Sequence, residues 1–432
     1  MKSRKISYKE SLQYLYGLQK YGIKFGLSKT SNLLKIFGNP HKKQNYIHIA
    51  GSNGKGSVAA MVESMLMKSG LKVGFYSSPH LVRFTERFRI NGREIAPERV
   101  ASITGQLLEV INPENPPTFF EVTTAMALIY FAMEKTDISI MEVGMGGRLD
   151  ATNVIMPLVS VITNICLEHR FFLGSHLIDI AGEKAGIIKT GVDLVTAATQ
   201  PAVLKLFRAI CEEKKAPFWR VGKDIRYRSN GPKLNYYGIK RRLIGIGLGL
   251  EGRFQNRNAT LALAIIEMLE RKGFRISSND LTEGLKDAAW PGRMHIVSRE
   301  PLIILDGAHN PTAIRELADS IGHGFRYRRL ILVIGVMEDK DIDRIIQGIV
   351  PMADYIIYTK ADYYRSASPE KLEKEAAPLK KQGKIIPIIS KALDKAKEIA
   401  DPQDIILVCG SLFTVGEAMT YFDPDQYRPD DI

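Results

Sequence analysis

The sequence predicts an α/β protein in which a P-loop-type domain with a mostly parallel sheet is followed by a smaller Rossmann-like α/β domain. Three observations support this prediction: short apolar segments alternate with helical segments through about residue 200, the alternation resumes near residue 300, and a glycine-rich loop separates a strand from a helix at 51–57. Such alternation is typical of a parallel sheet covered on both faces. A chain of 432 residues exceeds what one hydrophobic core usually organises, and we predict domains at 1–296 and 297–432.

The periodicity of apolar residues predicts the individual elements. In the first domain it predicts strands at 46–50, 72–76, 138–142 and 158–163, with helices from the glycine-rich loop to about residue 70 and near 121–134 and 177–188. Residues 222–255 are rich in Gly, Tyr and basic residues without a helical period, which indicates hairpins or a long excursion, and a helix follows at 258–269. In the second domain it predicts strands at 302–306, 330–334, 355–359 and 405–409.

Composition and charge limit the classes of protein and of partner. The net charge of +13 favours anionic partners. Because the basic residues are spread along the chain, we expect small polyanionic substrates rather than nucleic acid, although a well-solvated surface explains the charge equally well. No apolar stretch is long enough to span a membrane, so we expect a cytoplasmic protein without a membrane partner. We also expect a monomer. Cys166, Cys211 and Cys409 have no metal-ligand or redox spacing, which indicates reduced, structural thiols.

The segment HIAGSNGKGSVAA, residues 48–60, has the glycines and the lysine of a phosphate-binding loop in an unusual spacing. Gly51 stands four residues before Lys55, and Gly56 separates Lys55 from Ser57. Glycines let backbone N–H groups turn toward phosphate oxygens, and the lysine supplies a charge for the β and γ phosphates. The alternative is a glycine-rich turn with an exposed lysine, which the predicted strand and helix on either side make less favourable.

Polar side chains follow three predicted strands of the first domain. They are Ser77, Ser78 and His80 after 72–76, Glu142, Arg148 and Asp150 at the end of 138–142, and Glu168 and His169 after 158–163. The carboxyl ends of parallel strands meet at one edge of a sheet, where oxygen ligands can hold magnesium near a nucleotide phosphate. Each residue alone could be a helix cap or a polar core residue, but that alternative does not predict their convergence.

Lys184 lies beside alanines and isoleucines in a predicted helix. Removal from water lowers the pKa of a lysine. We therefore expect Lys184 to act as a carboxylate partner or as a nucleophile.

Ten motifs follow one another along about residues 20–420: GSNGKGS, SSPHLVRFTERFRING, TFFEVTTA, EVGMGGRLDATN, LEHRFFLG, EKAGIIK, WPGRM, DGAHNP, GVMEDKD and CGSLFTVGE. In this order and at these separations, they resemble the folylpolyglutamate synthase and dihydrofolate synthase family, a branch of the Mur ligases. The resemblance implies an ATP-dependent ligase that joins L-glutamate to a folate or dihydropteroate carboxylate through an acyl phosphate and releases ADP and phosphate. It also implies small-molecule substrates, two Mg²⁺ ions, a pterin-binding N-terminal segment and a glutamate-binding second domain.

The resemblance further implies roles for individual residues. ATP binding is assigned to Gly51, Ser52, Asn53, Gly54, Lys55, Gly56, Ser57, Asn258, Arg293 and Asp306. The metal ligands are Ser78 and Glu142 for one ion and His169 for the second. The folate or pteroate pocket is assigned to Gly26, Leu27, Lys29, Ser78, Pro79, His80, Phe120, Gly147, Arg148 and Asp150, and the glutamate site to Lys340, Asp341, Arg365 and Ser411. The catalytic residues are Lys55, His169, His309 and Lys184, the last of which matches a lysine that the family carries as a carbamate.

The sequence departs from the usual family pattern at several positions. Glu168 stands where the family usually has Asp, and Arg170 and Phe171 stand for Thr and Glu. We expect an additional cation next to His169 to weaken the second metal site or to alter substrate orientation.

The nearest enzymatic alternative is a UDP-muramoyl-peptide-type Mur ligase, and the alternative from another class is a non-catalytic, nucleotide-dependent RNA-binding module.

Overall fold

A computed structural model describes residues 4–22, 24, 26–230 and 233–431, and its strands form sheets of eight, three and six strands. In this part of the chain, no helix is long and apolar enough to cross a membrane.

The eight-stranded main sheet and its helices make up most of the first domain. The strands are β1 (Tyr46–Ala50), β2 (Val73–Tyr76), β3 (Phe88–Ile90), β4 (Arg93–Glu94), β5 (Ile138–Glu142), β6 (Val159–Ile162), β7 (Asp193–Thr196) and β8 (Phe218–Arg220). The helices are α1 (Tyr8–Gly17), α2 (Ser28–Ile36), α3 (Lys55–Lys68), α4 (Pro97–Leu108), α5 (Phe119–Met133), α6 (Arg170–Leu173), α7 (Leu177–Ala185), α8 (Pro201–Glu213), α9 (Gln255–Glu270) and α10 (Ser278–Asp287). Short 3-10 helices occupy Leu18–Tyr21, Pro40–Lys43, Phe84–Arg87 and Ala151–Val154.

The main sheet has the strand order β4-β3-β2-β5-β1-β6-β7-β8. All neighbours from β2 to β8 are parallel, and β3 and β4 add an antiparallel hairpin at one edge. The central strands β1 and β5 are buried along their whole length, as expected for strands between two layers of helices. Because β1, β2, β5 and β6 run in the same direction, their C-terminal ends share one edge, where a ligand site is expected.

Helices cover both faces of the main sheet. On one face α3, α9 and α10 enclose side chains such as Val58, Leu66 and Ile265. On the other face α1, α2, α4 and α5 pack around a core that includes Leu12, and α7 and α8 pack around one that includes Phe207. The predicted parallel sheet with helices on both faces is therefore confirmed.

The hairpins expected within 222–255 form a separate three-stranded antiparallel sheet. Its strands are β9 (Arg226–Asn230), β10 (Lys233–Tyr237) and β11 (Arg242–Gly247). Leu234, Tyr236 and Leu243 point inward and join the core beneath α9. The opposite face of this small sheet is turned to solvent.

The second domain contains the six-stranded sheet, with the strand order β12-β13-β17-β14-β15-β16. Its strands are β12 (His295–Arg299), β13 (Leu302–Asp306), β14 (Leu330–Ile334), β15 (Tyr355–Tyr358), β16 (Gly383–Ile385) and β17 (Ile405–Cys409). Its helices are α11 (Pro311–Gly324), α12 (Ile342–Ile349), α13 (Pro369–Ala376), α14 (Ile389–Ile399) and α15 (Leu412–Phe422), with 3-10 turns at Val350–Met352 and Ala377–Leu379. Only β12 is antiparallel to its neighbour, and the boundary predicted at residue 296 falls inside this strand.

Candidate active site

The phosphate-binding loop joins β1 to α3. Gly51 follows β1, and α3 begins at Lys55 with Gly54 as its N-cap residue. Gly54 has a φ of +83°, a left-handed conformation that favours glycine, and a Cβ at this position would lie 2.8 Å from the Asn258 side-chain oxygen. The first N–H groups of a helix have no partners within it and are available to an anion. Lys55 Nζ donates to the Gly51 carbonyl oxygen over 3.1 Å, so its charge stays beside the loop.

A cleft of about 340 Å³ extends from this loop. Its lining includes Ser52, Asn53, Gly54, Lys55, Gly56, Ser57, Ser78, Glu142, His169, Asn258, Arg293, Asp306 and His309. Ser78 follows β2, Glu142 ends β5 and His169 lies beyond β6, so parallel strands on both sides of β1 bring all three to one edge of the sheet. The structure thus brings the predicted metal ligands together beside Lys55. The Ser78 N–H also donates to Glu142 Oε2 over 3.2 Å.

Glu142 is a buried carboxylate of this cleft and a candidate metal ligand. Burial raises the pKa of Glu142, and the nearby Lys55 charge opposes that shift. A buried carboxylate of this kind gains from a cation beside it. Among the residues that the structure describes, no three His, Cys, Asp or Glu side chains form a ready-made metal cage. This donor set fits Mg²⁺, which usually keeps waters and substrate phosphates as its other ligands.

Lys184 is buried beneath the phosphate-binding loop, where it forms an ion pair. Its Nζ donates to Glu168 Oε1 over 2.7 Å and to the Gly51 carbonyl oxygen over 3.0 Å. Burial lowers the pKa of Lys184, and the Glu168 carboxylate opposes the shift. Burial also disfavours ionised Glu168, but the charges of Lys184 and Lys55 outweigh it and lower the pKa of Glu168 to about 2. The pair therefore ties the segment after β6 to the phosphate-binding loop.

His169 and His309 are neutral at physiological pH. Burial lowers the pKa of each imidazole to about 4. His309 Nδ1 lies 2.8 Å from the Gly307 carbonyl oxygen, which requires the proton on Nδ1 and leaves Nε2 as an acceptor. His169 has a φ of +46°, a conformation that costs a non-glycine residue about 1 kcal/mol. Such strain is often retained where a side chain must reach a functional site.

The second domain supplies the far wall of the cleft. Asp306 ends β13 and accepts hydrogen bonds from two backbone N–H groups. Asn310 caps α11, and its Nδ2 donates to the Asn53 side-chain oxygen of the phosphate-binding loop over 2.7 Å. Arg257 of α9 pairs with Glu316 of α11 at 2.7 Å. These contacts hold the two domains together around the cleft.

A second cavity, of about 390 Å³, adjoins the cleft. Both cavities are lined by Ser78, Pro79, Gly144, His169, His309 and Leu412. One part of the second cavity is apolar, with Phe119, Phe120, Met145, Leu149 and Phe413. Polar side chains of the second domain, Asp339, Lys340, Arg365 and Ser411, line another part. The cavity can therefore hold a flat aromatic group and an anionic group together.

Several residues predicted for substrate binding lie outside this cavity. They are Gly26, Leu27, Lys29, His80, Gly147, Arg148 and Asp341, whereas Phe120 and Asp150 do line it. Lys29 Nζ instead donates to two oxygens of residues 115–116 at 2.8 and 2.6 Å. Arg148 pairs with Glu183 at 2.8 Å and is 59% exposed. Asp341 accepts from the Arg344 N–H as the N-cap of α12.

Arg87 and Asp339 are among the charged residues of the second cavity that were not predicted from the sequence. Arg87 is buried, its Nε donates to His80 Nδ1 over 2.8 Å, and its guanidinium lies 5.1 Å from the Phe119 ring centre. It forms no ion pair with any described carboxylate. Asp339 accepts from Lys340 Nζ over 2.8 Å. Their only sequence signal is their position within the quoted motifs, since neither burial nor pairing can be read from the residue type.

Family models and curated relatives cover nearly the whole chain. The Mur ligase middle domain matches residues 49–266, and the Mur ligase, glutamate ligase domain matches residues 292–412. The chain is 34% identical over 424 residues to the dihydrofolate synthase/folylpolyglutamate synthase of Bacillus subtilis, with 95% of this chain and 98% of that protein covered. It is 35% identical over 436 residues to a probable bifunctional folylpolyglutamate synthase/dihydropteroate synthase of Haloferax volcanii, and it spans about half of that protein (96% of this chain, 50% of the relative).

Solved structures of similar proteins share the fold. Escherichia coli FolC in complex with DHPP and ADP is 32% identical, has a TM-score of 0.91, and is covered over 99% of this chain and 100% of that one. A bifunctional folylpolyglutamate synthase/dihydrofolate synthase from Yersinia pestis, complexed with AMPPNP and Mn ion, is 31% identical with a TM-score of 0.87 and covers 97% and 99% of the two chains.

Proposed function

The chain belongs to the folylpolyglutamate synthase and dihydrofolate synthase family of Mur ligases, and we propose that it joins L-glutamate to the carboxylate of a folate or of dihydropteroate. As a member of this family it is an ATP-dependent ligase that uses a divalent metal ion. The relatives favour this acceptor over a UDP-muramoyl peptide, because those that match over nearly their full length are named for folate substrates.

The main support for the proposal is that the cleft at the phosphate-binding loop and the second cavity adjoin each other at His169 and His309. Lys55 and its loop line the cleft, and Phe120 and neighbouring aromatic side chains line the second cavity. A carboxylic acid whose ring occupies the apolar part would therefore present its carboxylate toward the nucleotide. Phosphoryl transfer depends above all on such positioning.

In the proposed first step, an oxygen of the acceptor carboxylate attacks the γ phosphorus of ATP, the bond to the bridging oxygen breaks, and ADP leaves. An acyl phosphate results. Two anions meet in this step, so Lys55 and Arg293 offset negative charge at the phosphates. Mg²⁺ held by Ser78 and Glu142, with a second ion at His169, would supply further charge neutralisation when bound.

In the proposed second step, the glutamate amine attacks the acyl carbon, and phosphate leaves with the oxygen that came from the acceptor. Lys340 and Arg365 are the cations that would hold the glutamate carboxylates. Asp339, rather than the helix-capping Asp341, is the carboxylate able to accept a hydrogen bond from the amine. The free Nε2 of His309 is suited to take the proton that the amine releases.

We propose that Lys184 is carbamoylated. Only a neutral amine reacts with carbon dioxide, and burial lowers the Lys184 pKa in that direction. The reaction requires the 2.7 Å pair with Glu168 to open. With ¹³C-labelled bicarbonate, we expect a carbamate carbon signal that disappears in Lys184→Arg and persists in Lys189→Arg, a second lysine whose pKa burial lowers. A wild-type protein without this signal would contradict the modification.

We also propose a monomer located in the cytoplasm, with small molecules as its substrates. The described residues of one chain supply both walls of the cleft, so catalysis needs no second copy. Cys166, Cys211 and Cys409 are buried free thiols, as expected in a reducing compartment.

The proposed activity is tested by steady-state release of phosphate with two acceptors, dihydropteroate and tetrahydrofolate. We expect release with at least one acceptor, and we expect it to require glutamate. The use of both would indicate a bifunctional enzyme. Release with neither acceptor, or release without glutamate, would contradict the proposal.

A further inference from the structure

Much of the positive charge of the chain lies away from the two cavities. Residues 225–250 contain six basic residues and no acidic residue, which is nearly half of the net charge of +13. None of them lines the nucleotide cleft or the apolar cavity. Binding of ATP, folate or glutamate therefore does not account for this charge.

The antiparallel sheet β9–β11 sorts these residues onto two faces. Its solvent-facing side, called here the outer face, carries Arg226, Arg228, Lys233, Asn235, Tyr237, Arg242 and Ile244. The four basic side chains of the outer face are exposed. Leu234, Tyr236 and Leu243 alternate with them and are buried beneath the sheet. The strand period of two thus concentrates the cations on one side.

The outer-face cations are not neutralised by the protein. Arg241, which lies at the edge of the group, pairs with Glu270. Within the described ranges, Arg226, Arg228 and Arg242 form no ion pair with a carboxylate. An unpaired, acid-free basic surface attracts polyanions.

The outer face also carries an aromatic side chain, Tyr237, at the end of β10. Tyr237 pairs across the sheet with Arg226 on one side and with Arg242 on the other. The Arg242 guanidinium lies 5.4 Å from the Tyr237 ring centre. A half-buried ring between two arginines offers a base a stacking surface, with a phosphate-binding cation on each side.

We propose that the outer face binds single-stranded RNA, a role independent of the ligase activity. Same-face residues repeat at about 6.8 Å along a strand, and neighbouring strands lie about 4.8 Å apart, so the cations form a grid over which a phosphate backbone can run. Guanidinium groups bind phosphate oxygens in a bidentate manner. Among the described residues of this face, Ile244 is the only exposed aliphatic side chain, which favours a nucleic acid over a lipid surface. The expectation of no nucleic-acid partner is revised for this face alone.

The test measures binding of a fluorescein-labelled oligouridine of about 12 nucleotides. Fluorescence anisotropy reports the affinity at a series of salt concentrations. In Arg226→Gln/Arg228→Gln/Arg242→Gln, we expect affinity at low salt to fall at least about tenfold. We also expect the slope of log affinity against log salt to shrink by about 2, because single strands contribute about 0.7 per neutralised phosphate. Tyr237→Ser should lower affinity about tenfold and leave the slope unchanged.

The matched control is Lys374→Gln/Lys381→Gln/Lys384→Gln, which removes three exposed positive charges from the second domain. It should bind the oligouridine like the wild type, and circular dichroism checks the fold of every variant. Equal binding by the arginine triple variant and the wild type would overturn the proposal. So would tighter binding of poly-L-glutamate or of phosphatidylglycerol vesicles through the same three arginines, since the occupant would then be an acidic protein or a membrane.

Discussion

The Gly51 carbonyl oxygen accepts hydrogen bonds from two lysines, Lys55 at 3.1 Å and Lys184 at 3.0 Å. Two ammonium groups so close repel each other, and the Glu168 carboxylate beside Lys184 compensates for that repulsion. Glu is one methylene longer than the Asp usual at this position, so its carboxylate reaches further. At the scale of single residues, the Glu168 carboxylate thus offsets the repulsion between the two lysines that contact the phosphate-binding loop.

Lys55 is predicted to be essential for turnover. In Lys55→Ala, we expect kcat to fall by about 100-fold or more, because the proposed mechanism uses the Lys55 charge at the transferring phosphate. The far-ultraviolet circular dichroism spectrum should not change, since Lys55 is only partly buried and fills no core. Lys68→Ala, at the other end of α3, is the control and should retain wild-type kcat. Unchanged phosphate release in Lys55→Ala would exclude the loop from the mechanism.

Arg87 is predicted to position the acceptor. In Arg87→Gln, we expect the KM for the acceptor to rise about 10- to 100-fold, the cost of losing a hydrogen bond to a charged group. The KM for ATP should stay within about twofold of wild type, because Arg87 lines only the second cavity. Arg99→Gln, an exposed arginine on α4, should match the wild type. A parallel rise in both KM values would point to general damage instead.

At the scale of elements, the bounds of the apolar strands can be predicted from the sequence more readily than the shortest strands and the N-terminal helix α1. The strands at 46–50, 138–142, 302–306, 330–334 and 405–409 have the bounds predicted from their apolar runs. β3 and β4 have three and two residues, too few to show a period. α1 was not predicted, although its capping box of Ser7 and Glu10 is a signal readable in the sequence.

The start of β14 and the turn before β17 are fixed by an ion-pair network around Asp404. Its carboxylate accepts from Arg329 Nη2 over 2.7 Å and from Arg328 Nε over 3.2 Å. Burial opposes ionisation, but these hydrogen bonds outweigh it and lower the Asp404 pKa from 3.8 to about 2. Because the Asp404 pKa is depressed in the folded state, ionised Asp404 stabilises the folded state fully above about pH 4. This stabilisation is lost as the pH falls through about 2.

Asp404→Asn is therefore predicted to lower the free energy of unfolding of the second domain by about 1 kcal/mol at pH 7, a value reduced because both arginines are half-exposed. Urea unfolding at a series of pH values measures the difference. The gap between variant and wild type should narrow between pH 4 and pH 2. Asp425→Asn, an exposed residue, should show no gap at any pH, and a constant gap for Asp404→Asn would contradict the assignment.

At the scale of the whole molecule, the site exists only because two domains meet. The Asn53–Asn310 and Arg257–Glu316 contacts cross between the domains. Asp430, near the end of the chain, returns to the first domain and accepts from the Phe84 N–H over 2.7 Å. These contacts put the strand tips of the first domain opposite the cations of the second.

The position of residues at the ends of parallel strands can be predicted from the sequence better than the position of residues elsewhere in the site. Ser78, Glu142 and His169 follow from topology, because the ends of parallel strands must share one edge. Lys29 in the first turn of α2 and Asp341 at the N-cap of α12 depend instead on local contacts, which direct their side chains to other partners. Arg87 depends on burial without a carboxylate partner, a property of the packed molecule that no local pattern reveals.

The central claim is that the acceptor carboxylate is phosphorylated at the edge of the sheet beside Lys55. The most direct measurement uses an acceptor labelled with ¹⁸O in its carboxylate, followed by mass spectrometry of the phosphate released in the presence of ATP and glutamate. An acyl phosphate transfers one carboxylate oxygen to the phosphate, so we predict ¹⁸O in the released phosphate. Unlabelled phosphate formed together with the glutamylated product would contradict the account.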